Sequence, residues 1–344
     1  MLKVSRRTLP WIALLTLVCV QGPVASAQSC TANFTYCTGD TYPLPPGTSC
    51  LADGVPRTCT PCSVNVCTKA ASDETCPTCP AAGSPVALAT GNTFIEQTDV
   101  QIPGLGGGLV LRRTWNSKWP LSQAVYNTGI FGVHWRSTFE EQLFVGSDGT
   151  MKYSRADGSF WSFAFSAFIN QSGVIVGSTF NVAAPSDQTA TLTVIDPNWA
   201  ITFKNGEKRV FQASSGKLIS IVDRNGNTTQ LAYNNANQLV TVTDPAGRHL
   251  SFTYSTGAVP VVVGVSVDVG VSLTYSYDGV GRLVTVTKPD QTFISIEYDS
   301  NSRITAVKDS AGKILEAHTY DTLGRGLTST RANGVDAITI SYPQ

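Results

Sequence analysis

From about residue 206, apolar and polar residues alternate in short runs, and the runs themselves repeat. Aromatic residues return at Phe211, Tyr233, Tyr254, Tyr277, Tyr298, Tyr320 and Tyr342, at intervals of 22, 21, 23, 21, 22 and 22 residues. Between them stand Gly216-Lys217-Leu218, Gly281-Arg282-Leu283 and Gly324-Arg325, with Ser302-Arg303-Ile304 as a variant. Residues 239–245 and 283–289 differ at one position in seven. A fixed period in this range signals a repeat architecture. Such repeats build extended surfaces and shells more often than catalytic pockets.

One unit shows the logic. Residues 277–281 predict a turn, 282–287 a strand, 288–291 a second turn and 292–298 the return strand. Alternation puts Val284 and Val286 on one face, with Ile294, Ile296 and Tyr298 sharing a face of the partner strand. Asp278 can accept hydrogen bonds from turn amides, and Gly281 can take the positive φ such a turn often needs. Asp299 follows Tyr298 in the same way, and Asp321, Gly324 and Arg325 follow Tyr320. A lone hairpin is marginal in water and must pair with its neighbours. The expected product is all-β: one long antiparallel sheet that twists and curls as hairpins accumulate. The 254–277 interval, nearly all Val and Gly over 261–271, predicts a hairpin with degenerate turns.

Upstream the pattern changes twice. Over 83–205, turn signals such as Pro103-Gly104, Gly106-Gly107-Gly108, Asp157-Gly158 and Asn205-Gly206 separate β-branched and aromatic runs at 109–115, 159–165 and 191–195. Three-and-four apolar spacing is absent, so helix should be scarce. Over 28–82, Cys30, Cys37, Cys50, Cys59, Cys62, Cys67, Cys76 and Cys79 crowd among seven prolines, and no cysteine follows. An even count in a short, apolar-poor stretch reads as a disulfide-stapled, loop-rich module whose pairing the sequence does not choose. The expected organisation is 1–27 export signal, 28–82 disulfide module, 83–205 small β domain and 206–344 hairpin repeats.

The first segment supplies the compartment. Lys3, Arg6 and Arg7 precede a short apolar run, and Ala25-Ser26-Ala27 is a small-residue cleavage site, so the chain is expected in the cell envelope or outside the cell. Loss of that segment leaves 21 basic against 24 acidic residues. So small a net charge gives no footprint for nucleic acid. After signal removal, no other segment is long and apolar enough to predict a membrane-spanning helix.

The recurring Tyr-Asp-x-x-Gly-Arg-Leu pattern resembles the YD repeats of bacterial Rhs proteins, wall-associated proteins and teneurins. Residues 83–92, Thr98-Asp99, Ile102-Pro103, 113–117 and 131–137 are similar to the domain that precedes the repeats in Rhs proteins. The resemblance spans roughly 83–344 and implies a β-sheet shell, which in larger relatives encloses a C-terminal toxin released by a cleaving motif. No such motif stands before Tyr342. Six hairpins give about twelve strands and about 58 Å of sheet, a tube only about 18 Å across if rolled up. A folded domain of about 100 residues exceeds about 30 Å. The expectation is a wall, or the front of a shell, rather than a closed box.

Candidate chemistry is sparse. Cys59, Cys62, Cys76 and Cys79 form two CxxC pairs that could hold zinc if reduced, but export favours disulfides. His134, His249 and His318 are the whole histidine supply and form no triad pattern. Glu140 and Glu141 are adjacent and would point to opposite faces of a strand. Trp115, Trp119, Trp135, Trp161 and Trp199 could stack on sugars, although filling a core is the simpler role. No cofactor and no catalytic residue is assigned. The expected function is a non-enzymatic scaffold binding a protein or glycan at the cell surface, or a C-terminal shell segment or effector. One alternative is the secretion and encapsulation portion of a polymorphic toxin. Another is a carbohydrate-binding or carbohydrate-active envelope protein.

Overall fold

A computed structural model describes residues 81–342, with breaks at 84, 89, 119–127, 146–149, 170–174, 185–187 and 332–333, together with 49–52 and 55–58. Among the described residues the only helix is a single 3-10 turn, Leu105–Gly107, within the Gly-rich run. Everything else regular is strand. Cys50 lies on Ser49–Ala52, which pairs with Val55–Thr58. The other seven cysteines of the disulfide and zinc readings lie outside the described residues, as do 1–27 and Trp119.

The main sheet has nineteen antiparallel strands in strict chain order, from Gln142–Val145 to Val335–Thr339. Thirteen of them, from Lys208–Phe211 onward, carry the repeat. The strands of the unit read above are Leu283–Thr287 and Phe293–Tyr298, and Gly281 adopts φ 83° as its turn requires. The Val/Gly-rich unit is a full hairpin, with Val262–Val267 paired to Val271–Tyr277 over four registered positions.

The face assignment differs from simple alternation. Leu283 and Val286 are the buried pair, while Val284 is half-buried. A register shift opposite Ser276/Tyr277 pairs Tyr277 with Leu283 and leaves Val284 as the extra residue. A β-bulge of this kind adds one residue to one strand, so a buried pair stands three apart instead of two. The same shift recurs just after Leu218, Leu239, Val262, Ile304 and Gly326.

The sheet does not remain a flat wall. Its first strand returns to a turn far along the chain: Leu143 N donates to Gly216 O at 2.8 Å, Gln142 Nε2 donates to Ser215 O at 3.2 Å, and Gln142 bridges Lys217. The front of the sheet is thereby rolled up around Leu143, Tyr153, Trp161, Phe163, Leu192, Ile201 and Phe211, all buried. Tyr153 meets Trp161 and Phe211 edge-on at 5.8 and 5.7 Å.

A second, five-stranded sheet holds the leader: Ala81–Ala82, Val86–Ala87, Asn92–Ile102, Leu109–Asn116 and Trp135–Ser137. Its apolar side shares one core with the repeat sheet. Val100, Leu109, Leu111, Trp115, Phe131 and Trp135 cluster with Leu231, Val242, Leu250, Val265, Leu273, Val286, Ile296 and Val307. The buried face of the array is covered by the protein's own leader.

Gly216 tests the roll-up. It sits at φ 68°, and a methyl there would fall inside contact distance of the Leu143 carbonyl. Gly216→Ala is expected to destabilise the fold by about 2–3 kcal/mol through backbone strain and loss of the close approach. Urea unfolding followed by tryptophan fluorescence measures the shift.

Candidate functional site

Each repeat ends in a tyrosine because the bulge creates a need. Bulging disrupts the ladder at the first residue of the strand, and a buried carbonyl without a partner is costly. The tyrosine that closes each unit donates its hydroxyl there. Tyr233 reaches Leu218 O at 2.8 Å, Tyr254 Leu239 O at 3.0 Å, Tyr277 Val262 O at 2.7 Å and Tyr298 Leu283 O at 2.8 Å. Tyr320 reaches Ile304 O at 2.8 Å and Tyr342 reaches Gly326 O at 2.7 Å. Burial raises the Tyr233, Tyr254, Tyr277, Tyr298 and Tyr320 phenols well above their usual range, so all five stay protonated as donors.

The residue after the tyrosine closes the turn. Asp278 Oδ1 accepts from the amides of Val280 and Arg282, at 3.1 and 3.0 Å, and its Oδ2 accepts from Arg282 Nε at 2.6 Å. Asp299 and Asp321 repeat this with Asn301 and Arg303, and with Leu323 and Arg325. Partial burial works against the charged form of Asp278. Hydrogen bonds from the Arg282 backbone and side chain outweigh it, and the carboxyl titrates below its usual range. Gly324 takes φ 75° in the corresponding turn.

The basic residue then couples one unit to the next. Arg282 lies 5.0 Å from the Tyr298 ring, Arg303 4.8 Å from Tyr320, Arg325 4.2 Å from Tyr342 and Lys217 5.1 Å from Tyr233. Arg282 Nη1 also donates to Asp299 O at 3.1 Å, and Arg303 Nη1 to Asp321 O at 3.3 Å. A cation on a ring face contributes about 0.5–2 kcal/mol depending on desolvation. Tyr254 and Tyr277 have no such cation, because Gln238 and Val261 occupy the position.

The leader meets the array at that gap and again at its far end. Val262 N donates to Ile130 O at 2.7 Å, and Val133 N to Gly281 O at 3.4 Å. Three units later, Gly326 N donates to Gly91 O at 2.8 Å. From Gly326 back past Val262 the leader strand Asn92–Ile102 and the following loop cross the repeat strands. Gly91 lies against Arg325, Gly104 against Arg248, and Gly106 against Pro245 and Asn227.

Arg113 is the deepest charged anchor. Its side chain has no exposed surface, and its Nε and Nη2 donate to Asp99 at 2.5 and 2.8 Å. Its guanidinium lies 4.7 Å from the Trp135 ring. Tyr275 OH from the array donates to the same Asp99 at 2.8 Å, and Trp135 Nε1 donates to Tyr298 OH at 3.4 Å. Periodicity gave no hint of this cross-sheet cluster, because its members lie 14 to 176 residues apart.

The remaining candidates resolve into structural pairs. Glu140 is in a loop rather than on a strand; it accepts the Ile130 and Ser137 amides, both at 2.7 Å. Burial raises its carboxyl, against the pull of Arg136 and those amides. Glu141 takes Tyr153 OH at 2.6 Å and Arg209 Nε at 3.0 Å. His318 is buried on its return strand beside Glu316, 2.7 Å away, and His249 lies on His249–Tyr254. Trp115, Trp135 and Trp161 are buried, which removes them from any sugar-stacking surface; Trp199 is half-buried against Phe180.

This is a hairpin-repeat β scaffold stitched by tyrosines and seated on its own leader. Residues 83–163 match the family described as Domain of unknown function (DUF6531), and residues 214–249 match RHS Repeat. Both matches support the resemblance to Rhs/YD-repeat proteins over those residues. It is 32% identical over 151 residues to the tRNA nuclease WapA of Bacillus subtilis (strain 168), a match covering 44% of this chain and 6% of that protein. The tRNA3(Ser)-specific nuclease WapA of Bacillus spizizenii is 31% identical over the same shares. Among solved structures, the TcdB2-TccC3 complex without its hypervariable C-terminal region aligns over 72% of this chain and 12% of its own, at 16% identity and a TM-score of 0.29. A porin-like protein from Bacteroides uniformis aligns over 54% and 91%, at 14% identity and a TM-score of 0.26.

Two measurements check the site. Tyr254→Phe removes only the hydroxyl that satisfies Leu239 O, and is expected to cost about 1–2 kcal/mol in urea unfolding. His134 is held neutral by burial, only partly opposed by a hydrogen bond to the Asn116 backbone, and its ring titrates at about 4. A depressed histidine gives stability that is intact above the ordinary value of about 6.5 and is lost as pH falls toward 4. The unfolding midpoint is therefore expected to fall between those pH values, by up to about 3 kcal/mol of stability. In His134→Gln that part of the pH dependence disappears.

Proposed function

We propose that the chain is a non-enzymatic, exported YD-repeat scaffold: the leader-seated front of an Rhs-type shell, presenting its outer surface to a protein or glycan at the cell surface. The observation that carries this reading is the seating of the leader across the buried face of the array, at Val262 and at Gly326. The array holds its curvature on its own chain and needs no enclosed cargo to do so. The ionisable groups described above support the same reading, because Arg113–Asp99, Glu141–Tyr153–Arg209 and the turn aspartates with their arginines are each engaged in structural bonds.

A second reading is favoured by one specific observation. The curated relatives named as tRNA nucleases match this chain over only 6% of their own length. On that reading the chain is the shell portion of a polymorphic toxin whose payload is a separate segment.

Purified exported protein separates these. The scaffold reading expects saturable binding to envelope preparations, with no cleavage of tRNA and no hydrolysis of envelope polymers. Turnover of either substrate that survives stringent repurification sinks it. An equimolar polypeptide that co-purifies and carries nuclease activity supports the second reading.

A further inference from the structure

One cross-strand pair recurs in the core of four successive units: Leu231 opposite Val242, Phe252 opposite Val265, Tyr275 opposite Val286 and Ile296 opposite Val307. In the next unit both partners change together, to His318 opposite Ser329. The site stays as buried as before: His318 is 3% exposed and Ser329 has no exposed surface. Directly opposed residues of an antiparallel pair share a face, with Cβ atoms about 4.5–5.5 Å apart. Glu316, two residues before His318, faces the same way. The leader closes the site from the other side. A methyl on Gly83 would lie 2.8 Å from the Ser329 Cβ, so the Gly83 backbone rests directly on the serine side chain.

The histidine is arranged as a base. Its Nε2 lies 2.7 Å from Glu316 Oε1, and a carboxylate only accepts, so the ring proton sits on Nε2. Nδ1 keeps its lone pair, and it is buried without a hydrogen-bond partner. Nδ1 is also the ring nitrogen nearer the backbone, and so the one that can face a hydroxyl directly across the ladder. An unsatisfied buried acceptor of this kind asks for a role.

We propose that Glu316, His318 and Ser329 form a self-cleaving set whose substrate is the chain's own peptide bond between Ala82 and Gly83. His318 Nδ1 takes the Ser329 hydroxyl proton as Oγ bonds the Ala82 carbonyl carbon, whose π electrons move onto its oxygen. That electron pair returns as the C–N bond breaks, and His318 gives its proton to the Gly83 nitrogen. Ala82 is then esterified to Ser329. Water adds to the ester with the same base, and the Ala82 carboxyl leaves with the serine restored. Glu316 orients the ring and stabilises the imidazolium formed in each step. The substrate is already held against the nucleophile, so proximity takes the place of a binding cleft.

The cut separates the eight cysteines of 28–82 from the leader and the array. Ala81–Ala82 is tied to the leader at only two registered positions. The inference goes beyond the scaffold reading, because one cut per chain is processing and turns over no external substrate.

The test follows the exported protein, as purified and during incubation near neutral pH, by intact mass and N-terminal sequencing. The expected product begins at Gly83 and accumulates at a rate independent of protein concentration. Ser329→Ala is expected to abolish it, and Ser329→Cys to retain it through a thioester. His318→Gln is expected to slow it about 100-fold or more. Hydroxylamine added during the reaction is expected to capture the acyl group as a hydroxamate at Ala82. Thermal unfolding identifies the variants that fold, and His318→Gln serves the comparison if Ser329→Ala does not. A wild type that stays intact overturns the proposal. So does a Gly83 fragment that forms equally in a folded Ser329→Ala or His318→Gln protein, which marks an outside protease.

Discussion

One hydrogen bond organises the molecule: the tyrosine hydroxyl on the carbonyl that each bulge disturbs. Without the bulge the strand would follow plain alternation, and Leu283 could not share a face with Val286. With it, the first carbonyl of the strand needs a donor, and the tyrosine that closes the hairpin supplies one. The ring that carries that hydroxyl is then fixed in place. It becomes the platform for the cation of the preceding turn, and that cation in turn bonds the aspartate of its own turn. The period of 21 to 23 residues is the length of chain needed to pass once around this circuit.

The circuit couples each unit to its nearest neighbours, as expected of a repeat array. The leader adds coupling over a longer range. It docks where the cation is missing from two successive units, Gln238 and Val261 standing in its place, and there Ile130 and Val133 bond Val262 and Gly281. The Arg113–Asp99 pair then ties the leader to Tyr275 within a dry aromatic shell. Removing one member of such a pair would leave the other buried without a partner, which costs far more than the pair contributes.

Much of the array was legible in the sequence. Tyr277, Asp278, Gly281 and Arg282 stand where a turn chemist would put them, and the all-β class followed from the period and the lack of helical spacing. The face of Val284 was not legible, because alternation assumes one residue per register step and a bulge breaks that assumption without a residue type of its own. The engagement of Glu140 and Glu141 was not legible either. Glu140 lies in a loop and Glu141 meets Tyr153 and Arg209, contacts set by how the chain rolls up rather than by local pattern. The roll-up itself rests on backbone atoms of Leu143 and Gly216, which carry no sequence signature beyond a glycine.

The leader's two docking points carry a consequence for how such genes can vary. Val262 and Gly326 are three units apart, six strands or about 29 Å at the usual strand spacing. The eleven-residue strand Asn92–Ile102 crosses the array from Arg325 toward Arg248 and can span about 36 Å. Recombination between near-identical units such as 239–245 and 283–289 would add or delete whole hairpins. A deletion or insertion between the docking points changes the distance the leader must bridge by about 10 Å per unit. The leader thus acts as a gauge of how many hairpins stand between the points where it is fastened.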